Sequence, residues 1–474
     1  MPLSTSRWPI LGALILLGGC AAVGPNFQRP AAPTAASYAM AGDPSPAEAR
    51  LSPDQRAAGP WWRALGSRDL DEVMAQALAG NLTVRIAVAN LAKAQAQAAS
   101  ARDDTRPQVD AAAGIERARI NTQAFGIQGF PSPTINLFSI GGDVSYDLDL
   151  FGGLRRRLES ARAARDAEAR RADAAYLTVT ANVAVQAAAI ATLRSQIAAV
   201  SSILGDDEED IAIVRRAQAQ GGEAPSASVS GEAQLAEDRA LAPPLEQQLA
   251  QARHALALLA GRSPAEWTAP AFSLDGFTAQ MAIPLSLPSA LVRRRPDILA
   301  AEADLHQAIA NVGVANANLY PDIKLTAGLT QTALTPQNIF SYQSTAWDIG
   351  AGLTTPIFHG GALRAQRRAA EAQARASLAQ YEQTVLTAFV QVSDVLAALA
   401  QDDRRVADLA QARRVAESGL RDTRVAYRLG GGALLPVVEA QRQLNRTRLA
   451  LAQAQGERLT DVIKLYAATA AQWR

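Results

Sequence analysis

The chain has 474 residues, with 46 Lys and Arg against 45 Asp and Glu and a net charge of +1. That balance leaves no broad electrostatic footprint for nucleic acid. A single cysteine excludes an internal disulfide and a thiolate metal cluster, and three scattered histidines argue against a zinc site. Aromatic residues make up only 5% while alanine is abundant, which favours long, closely packed helices over a compact core of large side chains.

At the N-terminus, Arg7 and Trp8-Pro9 precede the apolar run Ile10–Leu17. As a helix this run covers about 12–15 Å, too little for a ~30 Å bilayer core, but it suits the apolar part of an export signal over residues 1–19. Leu17-Gly18-Gly19-Cys20 resembles the lipobox of bacterial lipoproteins. The resemblance implies cleavage before Cys20 and acylation of that residue, palmitate included, as a membrane anchor. Ala21 and Ala22 follow, rather than the aspartate of inner-membrane retention, so the outer membrane is the expected address. Residues 20–66, rich in Ala and Pro, read as an extended tether.

The remainder repeats itself. Leu91, Ala94, Ala101, Pro107 and Gly114 return at Leu305, Ala308, Ala315, Pro321 and Gly328, a constant shift of 214. In each copy an Ala-rich helix stops at a proline, and apolar residues then recur with period two. Strands are expected at about 108–118 and 139–150, then at about 322–332 and 346–357. Each pair ends in Phe and a Gly pair. Two stretches of 67 residues follow, 154–220 and 362–428, each with one glycine and no proline. As helices they extend about 100 Å and are expected to be far too polar to cross a membrane. Both stop at glycines and resume as returning helices over 226–261 and 436–471, the first expected to break at Pro243-Pro244. The copies thus cover 67–262 and 297–474, joined by a Pro-rich linker at 263–296.

Four amphipathic strands match the length and alternation of transmembrane β-strands. A four-stranded sheet leaves unpaired edges, which lipid does not tolerate, so sister subunits must close it. Two copies would make a filled eight-stranded barrel and three a twelve-stranded barrel with a wet lumen. The inward-facing Asp143, Asp147 and Asp149 suit the wetter option. The polar long helices then project as a conduit.

Several separated motifs, "CAAVGPNFQRP" (20–30), "WWRALG" (61–66), "RRPDILAAEADLHQAIANVGVANANLYPDIKLTAG" (294–328) and "YRLGGGALLPVVEAQRQL" (427–444), resemble the outer membrane factor (TolC-like) family. Within it they are similar to the nodulation-type lipoprotein branch serving resistance–nodulation–division efflux pumps. The resemblance implies a mixed α/β membrane protein. Its homotrimer has a 12-stranded transmembrane β-barrel, four strands per chain, continuous with a periplasmic α-helical coiled-coil tunnel. It implies an outer membrane location with Cys20 in the lipid, no cofactor, and no catalytic activity. The partners implied are a periplasmic adaptor (membrane fusion) protein and an inner-membrane pump. The expected function is the passive exit duct of a tripartite efflux system for small molecules and drugs. A protein-secretion duct and a pore-less, lipid-anchored periplasmic scaffold are the alternatives.

The family also places function at the helix tips. Tyr427 takes the position of a gate tyrosine three residues before Gly430, and Glu439 that of a constriction carboxylate nine after it. Three copies of Glu439 on an axis would favour cations. Arg424 and Arg428 are nearby cations available to acidic groups on an adjacent helix. Gly221, Gly222, Leu429 and Gly430 are the expected adaptor contacts, where glycine lets backbone approach backbone. Ala227 and Pro436 stand where many members carry an acidic gate residue. "GDDEED" (205–210) reads as a solvated turn of helix, without the spacing of a calcium loop.

Overall fold

A computed structural model describes residues 22–31, 38, 40, 60–121, 124, 126, 129, 131–222, 224–277 and 291–469. The export signal, Cys20 and part of the 263–296 linker lie outside the described residues. The labelled elements are α1 (Arg68–Gly80), α2 (Leu82–Asp103), β1 (Gln108–Arg119), β2 (Thr134–Asp147), α3 (Gly153–Ala219), α4 (Pro225–Arg239), α5 (Ala242–Leu259), α6 (Pro296–Ala317), β3 (Asp322–Ala333), β4 (Thr345–Thr354), α7 (Ala362–Arg428) and α8 (Leu434–Ala468). Two compact units share them: residues up to Pro30 with Asn90–Ala169 and Ala300–Glu382, and Ala31–Ala89 with Arg170–Leu299 and Gln383–Arg474.

The first unit holds one antiparallel sheet in the order β1-β2-β3-β4. Its register joins the alternating apolar positions of both copies into one face. Val109 pairs with Val144, Val144 with Ala327, and Ala327 with Ile349; Leu329 faces Trp347 and Ile323 faces Leu353. On the other face Asp110 pairs with Asp143 and Lys324 with Asp147. The apolar face is bare: Val109 is 72% exposed, Ile115 78%, Trp347 72% and Ile349 79%. Such a face needs lipid, and the unpaired outer edges of β1 and β4 need sister strands.

Strand β2 begins and ends earlier than the alternation predicts. Asp149 is not a wall residue beside Asp143 and Asp147. It adopts φ +46° and turns its carboxylate onto the start of α3, accepting from the Leu154 and Arg155 amides, each at 2.9 Å. A carboxylate there satisfies free N–H groups and complements the helix dipole.

The second unit is helical. Trp61 is fully buried, stacked on Tyr466 at 5.8 Å, and donates from Nε1 to Thr180 Oγ1 at 3.3 Å. Alanines at 184, 187, 188 and 191 of α3 are fully buried, and Gly456 of α8 leaves no room for a Cβ beside Thr192. Small side chains thus set the close helix packing expected from composition. One expectation changes: α3 and α7 each contain an 18-residue stretch long and apolar enough to cross a membrane. In α3 that character matches the buried Val179, Val183 and Ile190, so it serves helix packing. The returning helix breaks at Ala240-Leu241, where both residues stay helical in ψ and bond three residues back. Pro243 and Pro244 follow in the first turn of α5, where missing N–H groups cost nothing.

Candidate functional site

Both long helices end in the same turn. Gly221 (φ +76°) donates its N–H to Gln218 O and Gly222 donates to Ala217 O, both at 2.9 Å. In the second copy Gly430 (φ +74°) donates to Tyr427 O and Gly431 to Ala426 O, both at 3.0 Å. These are glycine C-caps of the Schellman type, which only a left-handed residue closes without strain. Pro225 then opens α4, and Pro436 lies in the first turn of α8. Gly221, Gly222, Leu429 and Gly430 are exposed on the turns, Leu429 at 81%.

Behind the turns lies an apolar cluster of Val214, Leu420, Val437 and Leu444, against which Tyr427 and Ala227 pack. Next to it sits a polar network that ties α3 to α7 and α8. Arg424 Nη2 lies 3.6 Å from Asp210, 4.0 Å from Asp206 and 3.1 Å from Gln441 Oε1. Gln441 Nε2 donates to Asp206 Oδ2 at 2.7 Å and to Asn445 Oδ1 at 3.0 Å, and Arg448 reaches Asp206 at 3.3 Å. Arg428 is exposed and donates to the Arg424 carbonyl at 3.3 Å. Glu439 is exposed and pairs with Arg442 at 3.3 Å. Within one chain Arg424, Arg428 and Tyr427 thus share a neighbourhood, whereas no described polar contact joins Glu439 to them.

The acidic run 205–210 is not solvated throughout: Asp207 is 9% exposed and Asp210 8%. Burial raises the Asp207 carboxyl to about 7, with Asp238 and then Asp210 and Asp206 adding to it. Burial also raises Asp210, against the opposing pull of Arg424. Asp207 borders a cavity of about 320 Å³ with Val214, Ala227, Leu435 and Val438. Among the described residues no group of His, Cys, Asp and Glu is placed to hold a metal ion. Sequence reasoning missed Asp206, Asp210, Gln441, Asn445 and Arg448. Their signal was helical spacing: Asp206 and Asp210 lie four apart, and Gln441, Asn445 and Arg448 follow at four and three, each set on one helix face.

Comparison with known proteins gives the same architecture. The family described as outer membrane efflux protein matches residues 73–262 and 287–471. The chain is 30% identical to the pyoverdine export outer membrane protein OpmQ of Pseudomonas aeruginosa, over 100% of this chain and 98% of OpmQ. It is 27% identical to the probable outer membrane lipoprotein SilC of Salmonella typhimurium, over 98% of both. Among solved structures it is similar to the outer-membrane channel OprN, with a TM-score of 0.86, 28% identity, and coverage of 95% of this chain and 99% of that one. CusC gives a TM-score of 0.82 at 26% identity, over 95% and 99% of the two chains. Sister subunits therefore close the bare sheet into a trimeric twelve-stranded barrel, four strands per chain, continuous with a periplasmic helical tunnel. The channel works with a periplasmic adaptor and an inner-membrane pump of the resistance–nodulation–division type. Family and fold are those of ducts rather than enzymes. The chain belongs to the outer membrane efflux protein family, as the outer-membrane channel of a tripartite efflux system.

Proposed function

We propose that this chain forms a passive exit duct with no chemistry of its own, closed at the helix tips and opened there when the adaptor docks. The observation that carries this reading is Arg424, one guanidinium between Asp206 and Asp210 of α3 and Gln441 of α8. Polar contacts of this kind release and re-form at lower cost than a packed apolar seam, which suits a device that opens and closes. Tyr427 supports the network from the apolar side, and Arg428 extends it towards the turn. Glu439, exposed on a single chain, is the carboxylate available for a ring of three around the axis. Gly221, Gly222, Leu429 and Gly430 form the surface offered to the adaptor, and Cys20 carries the acyl anchor. Residues 67–262 and 297–474 are the two repeats and 263–296 their linker.

The cargo is a small molecule. Relatives of this chain include a cation efflux system protein of Escherichia coli and a toluene efflux pump protein of Pseudomonas putida, at 27% and 30% identity. Purified trimer in a planar bilayer is expected to show low conductance with cation preference. Replacing Glu439 with Ala should change the current or that preference; identical currents overturn the role of Glu439.

A further inference from the structure

Residues 22–30 form a strap across the first unit, and one buried guanidinium holds it. Arg156, in the first turn of α3, has a side chain only 5% exposed. Its Nε donates to Val23 O at 3.2 Å, and Nη2 donates to Gly24 O at 3.3 Å, Ala22 O at 3.4 Å and Asn26 Oδ1 at 2.7 Å. The remaining arm, Nη1, meets Glu159 at 2.6 Å. Glu159 also accepts from His306 Nε2 at 2.9 Å, and the His306 ring stacks on Phe27 with centroids 4.4 Å apart. Burial alone would raise the Glu159 carboxyl, but the hydrogen bonds from His306 and Arg156 outweigh it and hold the carboxyl low. Arg29 closes the strap on Glu302 at 2.7 Å.

The backbone is fitted just as tightly. Gly24 sits at φ +96°, and a Cβ there would lie 2.6 Å from Gly313 Cα. A Cβ on Gly313 would in turn lie 2.7 Å from Arg156 Cδ. At the strap's start Val23 donates its amide to Phe151 O at 3.0 Å, and a Cβ on Gly152 would meet that of Ala22 at 2.5 Å. Phe151 and Gly152 are the link between β2 and α3, hence the periplasmic rim of the barrel. Among the described residues the equivalent link before α7 receives no strap: a Cβ on Gly360 or Gly361 would meet nothing within 4 Å.

We infer that Arg156 is the positioning residue that fixes the acylated N-terminus on the rim of the barrel, so that anchor and strands enter the membrane as one body. The inference rests on the reading of Cys20 as the acylated residue. Two residues of chain bridge about 7 Å at most, so a clasp at Ala22 limits an acyl anchor on Cys20 to that length of tether from the rim. An anchor on a short, fixed tether keeps the strands at high effective concentration near lipid; one on a slack tether of Ala and Pro does so far less. Four strap acceptors on one guanidinium also leave no slack for the anchor to drift around the rim.

The experiment is a double-mutant cycle in cells: Arg156→Gln and Gly24→Ala, each with Cys20 intact and with Cys20→Ser behind a cleavable export signal. Palmitate incorporation and heat-modifiable trimer in outer-membrane fractions are read together. With Cys20 intact, each substitution should leave labelling unchanged and lower trimer yield about five- to tenfold; with Cys20→Ser the same substitutions should cost less than about twofold. Gly24→Ala displaces the strap from outside and leaves the helix bearing Arg156 untouched, so it separates anchoring from folding of α3. Equal losses in both backgrounds, or a loss from Arg156→Gln with none from Gly24→Ala, make Arg156 a packing residue and overturn the inference. Absence of palmitate on the parent protein removes the reading of Cys20 itself, a failure the label alone identifies.

Discussion

In the first helical hairpin Arg215 of α3 meets Glu232 of α4 at 2.8 Å, with both side chains more than half exposed (63% and 52%). In the second, 209 residues further on, Arg424 of α7 meets Gln441 of α8 at 3.1 Å, and Gln441 is 2% exposed. Arg239 and Arg448 are related by the same shift. The former makes an exposed pair with Glu208 at 3.0 Å, and the latter joins Asp206 inside the network. The duplication has kept its arginines and changed what they do. Asp206 and Asp210 correspond to Val415 and Gly419 in the second copy, so the acids belong to one hairpin only. Cations of the other hairpin are drawn across to them. A seam between hairpins arises where the copies have diverged, and simple surface pairs remain where they have not.

The sharpest break in this comparison is Arg424→Ala. It leaves Asp206 with Arg448 and takes from Asp210 the guanidinium that faces it. An uncompensated buried charge costs about 3–5 kcal/mol, and the partial exposure of Arg424 reduces this to roughly 2–3 kcal/mol. Thermal unfolding of the detergent-solubilised trimer should move down, and single-channel conductance should rise as the tips part. An unchanged melting profile together with unchanged conductance would remove Arg424 from the closing network.

How much of this was legible beforehand varies by region. Period-two alternation is a property of the chain itself, so Val109, Val144, Ile323 and Trp347 declared their common face before any register was known. The glycine turns at Gly221 and Gly430 were legible for the same reason, because a left-handed cap is a local requirement. Asp149 was misread as a wall residue because it continues the polar alternation of Asp143 and Asp147; only the backbone turn at φ +46° shows that it caps α3. The acids of 205–210 were misread because a charged run looks solvated until another helix covers it. The strap escaped notice because its partners, Glu159, Glu302 and His306, lie more than a hundred residues away.

A second test acts on the protonation of the seam. The Asp207 carboxyl is raised to about 7 by burial first and by Asp238 next, against about 4 in an unfolded chain. The folded state therefore prefers the neutral acid. Its contribution is complete below pH ~4 and is lost as pH rises through ~7. Asp238 on α4 adds most to the burial effect, then Asp210 and Asp206 on α3, and Gln441 and Arg442 of α8 border the same cavity. Asn at 207 keeps the shape without the charge. Relative to the parent, Asp207→Asn should gain about 2–4 °C in melting temperature at pH 8 compared with pH 4.5. A difference independent of pH would show that Asp207 titrates normally.

The smallest effect belongs to the first hairpin and completes the comparison. Arg215→Ala removes an exposed pair, worth about 0.2–1 kcal/mol, in which both side chains lose conformational entropy to meet. The expected change in melting temperature is within a degree or two, and it should vanish in about 1 M salt, where the screening length falls to ~3 Å. The loss from Arg424→Ala should persist in that salt, since ions reach the half-buried seam poorly. Salt thus discriminates between arginines that stand at equivalent positions of one repeated sequence. If both losses fade together, the seam is as open to water as the surface pair, and burial of Asp207 and Asp210 does not set its strength.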